Sequence, residues 1–153
     1  MKNNILILGP KCSGKTTFMY TLLNIKPKPT ITIGSDMYCY KYSDNNKIIF
    51  WDIGNGLHYK EIIYSLLVRV DTIIIVENSN TIDFISETIL FINNYNIKNI
   101  IIIFNNIEKP DNFIEKQIES LNTNITFNIF YINCNKYKEV INTSKFIENN
   151  IVI

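Results

Sequence analysis

The sequence predicts an α/β fold of three layers, α/β/α, around a six-stranded, mostly parallel sheet with one antiparallel edge strand. Short apolar runs of strand length alternate with stretches whose apolar residues recur at helical spacing, the pattern of a parallel sheet covered on both faces. The alternation breaks once, where two strand-like runs flank a polar turn cluster, and that hairpin supplies the antiparallel edge. A Gly-rich turn joins the first strand to the first helix, at the carboxyl edge where such sheets bind ligands.

Ile5-Leu6-Ile7-Leu8 is apolar on both faces, as a central parallel strand is. After the turn, a helix beginning near Gly14 carries Phe18, Met19, Leu22 and Leu23 and runs to about Asn24. Pro27 and Pro29 then forbid helix and hold an extended loop. Residues 37–42 alternate, with Tyr38, Tyr40 and Tyr42 on one face and Met37, Cys39 and Lys41 on the other. Ser43-Asp44-Asn45-Asn46-Lys47 turns the chain into a second strand over 47–51. Tyr59, Ile62, Ile63, Leu66, Leu67 and Val70 mark an amphipathic helix, and 72–76 is a buried strand. Ser79-Asn80-Thr81 offers caps for a helix with Ile82, Ile85, Ile89 and Ile92 on one stripe. Residues 100–104 form the next strand, and Pro110-Asp111 opens a helix that turns Ile114, Ile118 and Leu121 inward. The last strand covers 125–132 and the last helix about 136–149. No linker or repeat divides the chain, so 1–153 is expected to be one domain.

Composition narrows the function. A net charge of +1 leaves no basic field, which excludes nucleic acid as a partner. Cys12, Cys39 and Cys134 are scattered and odd in number, so neither a disulfide framework nor a zinc site is expected and a reducing cytoplasm is. No apolar run approaches the roughly 18 residues of a membrane span, and no signal peptide is visible. Lys2 and the ending Ile151-Val152-Ile153 fit no lipid-anchor signal.

The turn itself reads Gly9-Pro10-Lys11-Cys12-Ser13-Gly14-Lys15-Thr16, matching the phosphate-binding pattern G-x-x-x-x-G-K-[ST]. Its backbone N–H groups must curl around an anion, and glycines allow the close approach and the dihedrals that this needs. Lys15 then reaches the β- and γ-phosphates of a nucleotide and the Thr16 hydroxyl sits on Mg²⁺. The helix that follows aims its positive end at the same phosphates. The expected fold is therefore that of a P-loop NTPase. Asp52, after the apolar run Ile48-Ile49-Phe50-Trp51, is placed to hold Mg²⁺ through water.

With these pieces in hand the chain resembles the Ras superfamily of small GTPases, and its Arf-like branch in particular. Gly14-Lys15-Thr16-Thr17, Thr32-Ile33-Gly34 and Trp51-Asp52-Ile53-Gly54 carry the resemblance at matching separations. It implies GTP and GDP as ligands with Mg²⁺ held by Thr16, Thr32 and Asp52. It also implies a first switch that Thr32 closes only on a triphosphate, and a protein effector or regulator that reads the switch segments, about 25–35 and 52–60. Three departures accompany it. Asn55 stands where the second switch has glycine, and Gly56 where it has the glutamine that orients the attacking water, so intrinsic hydrolysis should be slow. Asn55 tolerates left-handed dihedrals, which keeps its amide available to the γ-phosphate, and His58 is a candidate substitute water-positioner.

The guanine-reading N-K-x-D becomes Asn105-Asn106-Ile107-Glu108: Asn105 fits, Asn106 lacks the lysine stem, and Glu108 adds a methylene to the base-pairing acid. Cys134-Asn135-Lys136 falls where the family has S-A-K, whose backbone amide touches the guanine oxygen. Lys11 at the lip of the loop replaces a small or acidic residue and either adds charge over the phosphates or lies in solvent. The leading expectation is a GTP-binding switch. The alternatives are a degenerate relative acting as an interaction module and a P-loop ATPase or nucleotide kinase. The last is opposed by the lack of an Arg-rich lid, Arg69 being the only arginine.

Overall fold

The structure, a computed structural model, describes residues 3–26, 31–54, 56–108, 113–121 and 124–150. Six strands form one sheet: β1 (Asn3–Leu8), β2 (Ser35–Lys41), β3 (Lys47–Ile53), β4 (Thr72–Glu77), β5 (Asn99–Asn105) and β6 (Thr126–Ile132), in the order β2-β3-β1-β4-β5-β6. Every pairing is parallel except β2 with β3, where Ser35 lies opposite Ile53 and Lys41 opposite Lys47. The helices are α1 (Lys15–Leu22), α2 (Lys60–Leu67), α3 (Asp83–Ile92), α4 (Phe113–Glu119) and α5 (Tyr137–Asn150), with a 3₁₀ turn at Gly56–Tyr59.

The alternation of each strand divides the core in two. Leu6, Leu8, Ile73, Ile75, Ile100 and Ile102 face one layer, where Ile63 and Leu67 of α2, Ile85 and Ile92 of α3 and Ile114 and Ile118 of α4 cover them. Ile5, Ile7, Phe50, Ile74, Ile101 and Ile103 face the other, beneath Phe18, Met19 and Leu22 of α1 and Val140 and Ile147 of α5. The tyrosines of β2 join this second layer. Tyr40 donates its hydroxyl hydrogen to Glu148 Oε1 at 2.9 Å, which ties the edge strand to α5. Because β1 lies between β3 and β4, the chain leaves it in one direction to β3 and in the other to β4. The turn after β1 therefore opens at the point where the strand order reverses, where such sheets have their crevice.

Element ends differ from the expectation for local reasons. Helix α1 stops at Leu22, because Asn24 takes φ 52° and Ile25 N–H reaches back to Tyr20 O at 2.8 Å, a left-handed helix stop. Helix α2 ends at Leu67, and Val70 enters the core from the turn beyond it. The expected cap of α3 by Ser79, Asn80 or Thr81 is not made. Ile82 occupies the N-cap without a side-chain bond, and Ser79 turns instead to Glu77. Strand β3 runs on to Ile53, so Asp52 lies inside the ladder rather than past it. The helix opening at Pro110-Asp111 lies outside the described residues.

Candidate functional site

Between β1 and α1 the backbone is left-handed at Cys12 (φ 62°) and Gly14 (φ 107°), and Gly9 has φ 155°. Alternation of this kind turns successive N–H groups to one side, as an anion-binding nest requires. Two of these positions also leave no room for a side chain: a Cβ would lie 2.2 Å from Val76 O at Gly9 and 2.4 Å from Asn105 Nδ2 at Gly14. The loop encloses a cavity of about 300 Å³, lined from Lys11 through Cys12, Ser13, Gly14, Lys15 and Thr16 to Thr17 and closed by Ile31, Thr32 and Gly54. Lys15 is buried and its ammonium is held by Gly9 O at 2.9 Å and Pro10 O at 2.6 Å. Burial lowers its pKa, against the opposing pull of Asp52, Cys12 and Glu77.

Three oxygens from distant segments meet at the far side of the cavity. Thr16 Oγ1 donates to Asp52 Oδ2 at 2.5 Å and lies 3.0 Å from Thr32 Oγ1. A hydroxyl has one proton, so with that of Thr16 given to Asp52 the Thr32 hydroxyl is the donor to Thr16. Asp52 is fully buried and its Oδ1 has no hydrogen-bond partner among the described residues. Burial raises its pKa, and the Thr16 bond and Lys15 pull it back down. One carboxylate with an unsatisfied oxygen beside two hydroxyls is an all-oxygen donor set that fits Mg²⁺. Gly54 makes the approach of Thr32 possible: a Cβ there would stand 2.0 Å from Thr32 O, and Gly54 N–H bonds Gly34 O at 2.9 Å.

Asn105, at the end of β5, links this loop to a second one. Its Nδ2 donates to Ser13 O at 2.9 Å and its Oδ1 accepts from Cys134 N–H at 2.9 Å. Beside it lies a depression of about 220 Å³ whose lining includes Asn106, Glu108, Tyr131, Asn133, Lys136 and Glu139. Asn106 is left-handed (φ 60°) and exposed, and Glu108 is exposed. Cys134 is buried, and burial pushes its thiol pKa up to about 12. Asn135 N–H bonds Asn133 Oδ1 at 2.8 Å, and Lys136 pairs with Glu139 at 3.1 Å. The Asn133 N–H holds the Glu139 carboxyl below its ordinary pKa.

Of the second-switch candidates, neither Gly56 nor His58 lines either hollow. Gly56 begins the 3₁₀ turn, and Asn55 is outside the described residues, as is 27–30 of the first switch segment. His58 is exposed and lines a different depression with Leu57, Lys60 and Glu87.

The sequence reading passed over Glu77 and Asn78. Glu77, buried at the end of β4, accepts at one oxygen from Asn78 N–H, Ser79 N–H and Ser79 Oγ–H, and Asn78 Nδ2 reaches Cys12 O at 3.3 Å. Their signal was available, since they follow an apolar strand at the same carboxyl edge. Asn133 and Glu139 had none beyond local spacing.

Among known families, the chain matches over residues 4–109 the model described as Ras of Complex, Roc, domain of DAPkinase. No curated protein matches it. Among solved structures it is similar to the Arl6 BBS3 small GTPase from Trypanosoma brucei with bound nucleotide analogue GppNp. That likeness has TM-score 0.74 and 17% identity, over 97% of this chain and 96% of that one. It is also similar to a bacterial selenocysteine-specific elongation factor, EF-Sec, with TM-score 0.72 and 15% identity, where 97% of this chain spans only 28% of that one. At such identities the likeness shows the fold, which is the P-loop NTPase fold of small GTPases and agrees with the Ras-superfamily resemblance and its Arf-like closeness. With well over half of its length matched, the chain belongs to the Roc family of Ras-like GTPase domains.

Proposed function

We propose that residues 1–153 form one G domain that binds GTP and GDP with Mg²⁺ and works in the cytoplasm as a switch with slow intrinsic hydrolysis. The observation that carries this reading is the meeting of Thr16, Thr32 and Asp52 at the phosphate-loop cavity, with a buried carboxylate oxygen left unsatisfied among the described residues. In it, the amides from Lys11 to Thr16 grip the phosphates, Lys15 exchanges its two loop carbonyls for β- and γ-oxygens, and Thr32 reports the γ-phosphate. Bound to Thr16, Thr32 and Asp52, Mg²⁺ would offset phosphate charge during transfer to water. Gly56 brings no side chain to orient that water, hence the slow rate. Exposed Ile31 and Ile33, beside the cavity, support a protein partner that reads the switch segments 25–35 and 52–60.

Titration with GDP, GTP and ATP in the presence of Mg²⁺ tests the reading, with Lys15→Ala expected to abolish binding. Unaided single-turnover hydrolysis as fast as that of a stimulated GTPase would refute the slow rate. The second reading, a degenerate module that binds partners without nucleotide, draws on the Lys15 ammonium being already satisfied by the loop's own carbonyls. Protein purified natively without nucleotide and unable to take it up would favour that reading.

A further inference from the structure

The turn after β6 has its backbone donors already engaged. Asn133 N–H bonds Glu139 Oε2 at 2.7 Å, Cys134 N–H bonds Asn105 Oδ1 at 2.9 Å, Asn135 N–H bonds Asn133 Oδ1 at 2.8 Å and Lys136 N–H bonds Asn133 O at 2.8 Å. On the other lip, Asn106 N–H bonds Ile132 O at 2.9 Å. The Lys136 ammonium is paired with Glu139. The exposed Glu108 carboxylate, an acceptor only, and the exposed Asn106 side-chain amide line the 220 Å³ depression without a hydrogen-bond partner among the described residues.

We infer that this depression, on the nucleotide reading proposed above, reads a purine from one side: Glu108 takes the N1–H and 2-amino edge, and the 6-oxygen finds no backbone donor because Asn133 occupies the Asn135 N–H. A ring docked with that edge on Glu108 turns its 6-oxygen toward the 133–136 turn, the other polar wall. Three of the four amides there answer to groups that build the turn, namely Asn105, the Glu139 carboxylate and the Asn133 carbonyl. The fourth answers to one half-buried side chain that a single substitution removes. Asn133 is thus a specificity-determining residue by subtraction. Selection of guanine then rests on a solvated carboxylate with no backbone donor set against the 6-oxygen, a weaker discriminator than a site with donors and acceptors on both edges.

The test compares GDP with 6-thio-GDP, which keeps N1–H and the 2-amino group but replaces the 6-oxygen with a poor acceptor. The full chain with Mg²⁺ should bind both within about twofold, the small difference expected where no hydrogen bond is at stake. Asn133→Ala frees the Asn135 N–H and should shift the ratio toward GDP by about fivefold, the worth of one ordinary hydrogen bond. Asn133→Asp keeps the acceptor and should restore the wild-type ratio, which a merely structural role for Asn133 would not move. A wild-type preference for GDP of about fivefold or more, or an Asn133→Ala ratio unchanged from wild type, overturns the inference. If Asn133→Ala does not fold, the wild-type ratio alone decides. If neither diphosphate binds, the nucleotide reading itself has failed.

Discussion

Removing the Asn105 side chain should loosen two loops at once. In Asn105→Ala, Ser13 O loses the donor it meets at 2.9 Å and Cys134 N–H loses the acceptor it meets at 2.9 Å. Both residues are fully buried, so water cannot easily take the vacated places. An orphaned buried donor or acceptor costs about 1–3 kcal/mol, which puts the loss at about 2–6 kcal/mol for the pair. For a chain of this length, where about 1 kcal/mol moves the midpoint by 2–4 °C, that is roughly 4–24 °C in Tm. Urea unfolding with an unchanged slope would assign the loss to stability rather than to a more compact unfolded chain.

Two comparisons sharpen the measurement. Asn105→Asp keeps an acceptor for Cys134 N–H but sets a carboxylate against Ser13 O, so it should also destabilise strongly while leaving one contact intact. Asn135→Ala, on an exposed side chain in the same turn, should stay within about 0.5 kcal/mol. A loss below about 1 kcal/mol in Asn105→Ala would mean that solvent or a relaxed loop replaces both bonds, and the description of Asn105 as a buried joint would be wrong.

Gly54→Ala places a methyl where Thr32 O stands 2.0 Å away, so the first switch must retreat and break the Thr32–Thr16 contact. A non-hydrolysable GTP analogue should then bind about fivefold more weakly while GDP is held as before, and equal weakening of both would refute the assigned role of Thr32. Gly56→Gln should speed single-turnover hydrolysis, and an unchanged rate would remove the missing glutamine as the cause of a slow one. Native protein near pH 8 should expose two thiols to an alkylating reagent, Cys12 and Cys39, while Cys134, buried and with its pKa pushed up to about 12, reacts only on unfolding. Because Cys12 lines the phosphate cavity, bound nucleotide should slow its alkylation and leave Cys39 unaffected.

How much of this could be read from the chain depended on whether the cause was local. The strands announce themselves because β4 and β5 are covered on both faces and so are nearly unbroken runs of isoleucine. The phosphate loop was legible because its geometry is written in glycine spacing: positions 9 and 14 are the two within the loop where a Cβ would collide with its neighbours. The cap of α3 was misread because Ser79 answers to a buried carboxylate two residues before it, and composition cannot say which of two acceptors a hydroxyl will choose. The approach of Thr32 to Gly54 and the engagement of the Asn135 amide by Asn133 depend on how loops settle against one another, and no periodicity encodes that.

The two halves of the site also differ in what sequence change can do to them. An anion grip made of backbone amides depends on side chains only through glycine, the lysine and the helix that follows, so it either persists with its pattern or is lost. On the function proposed above, base recognition would be assembled from groups on separate loops, where each position can drift alone: a longer acid at Glu108, an asparagine at Asn106, an amide covered at Asn135. Asn105 is the exception, because its side chain holds Ser13 of one loop and Cys134 of the other and so serves structure before it serves any ligand. A chain under pressure to keep the nucleotide's phosphates but not its base would keep that asparagine regardless, and the retention of Asn105 is therefore no argument that guanine is still selected.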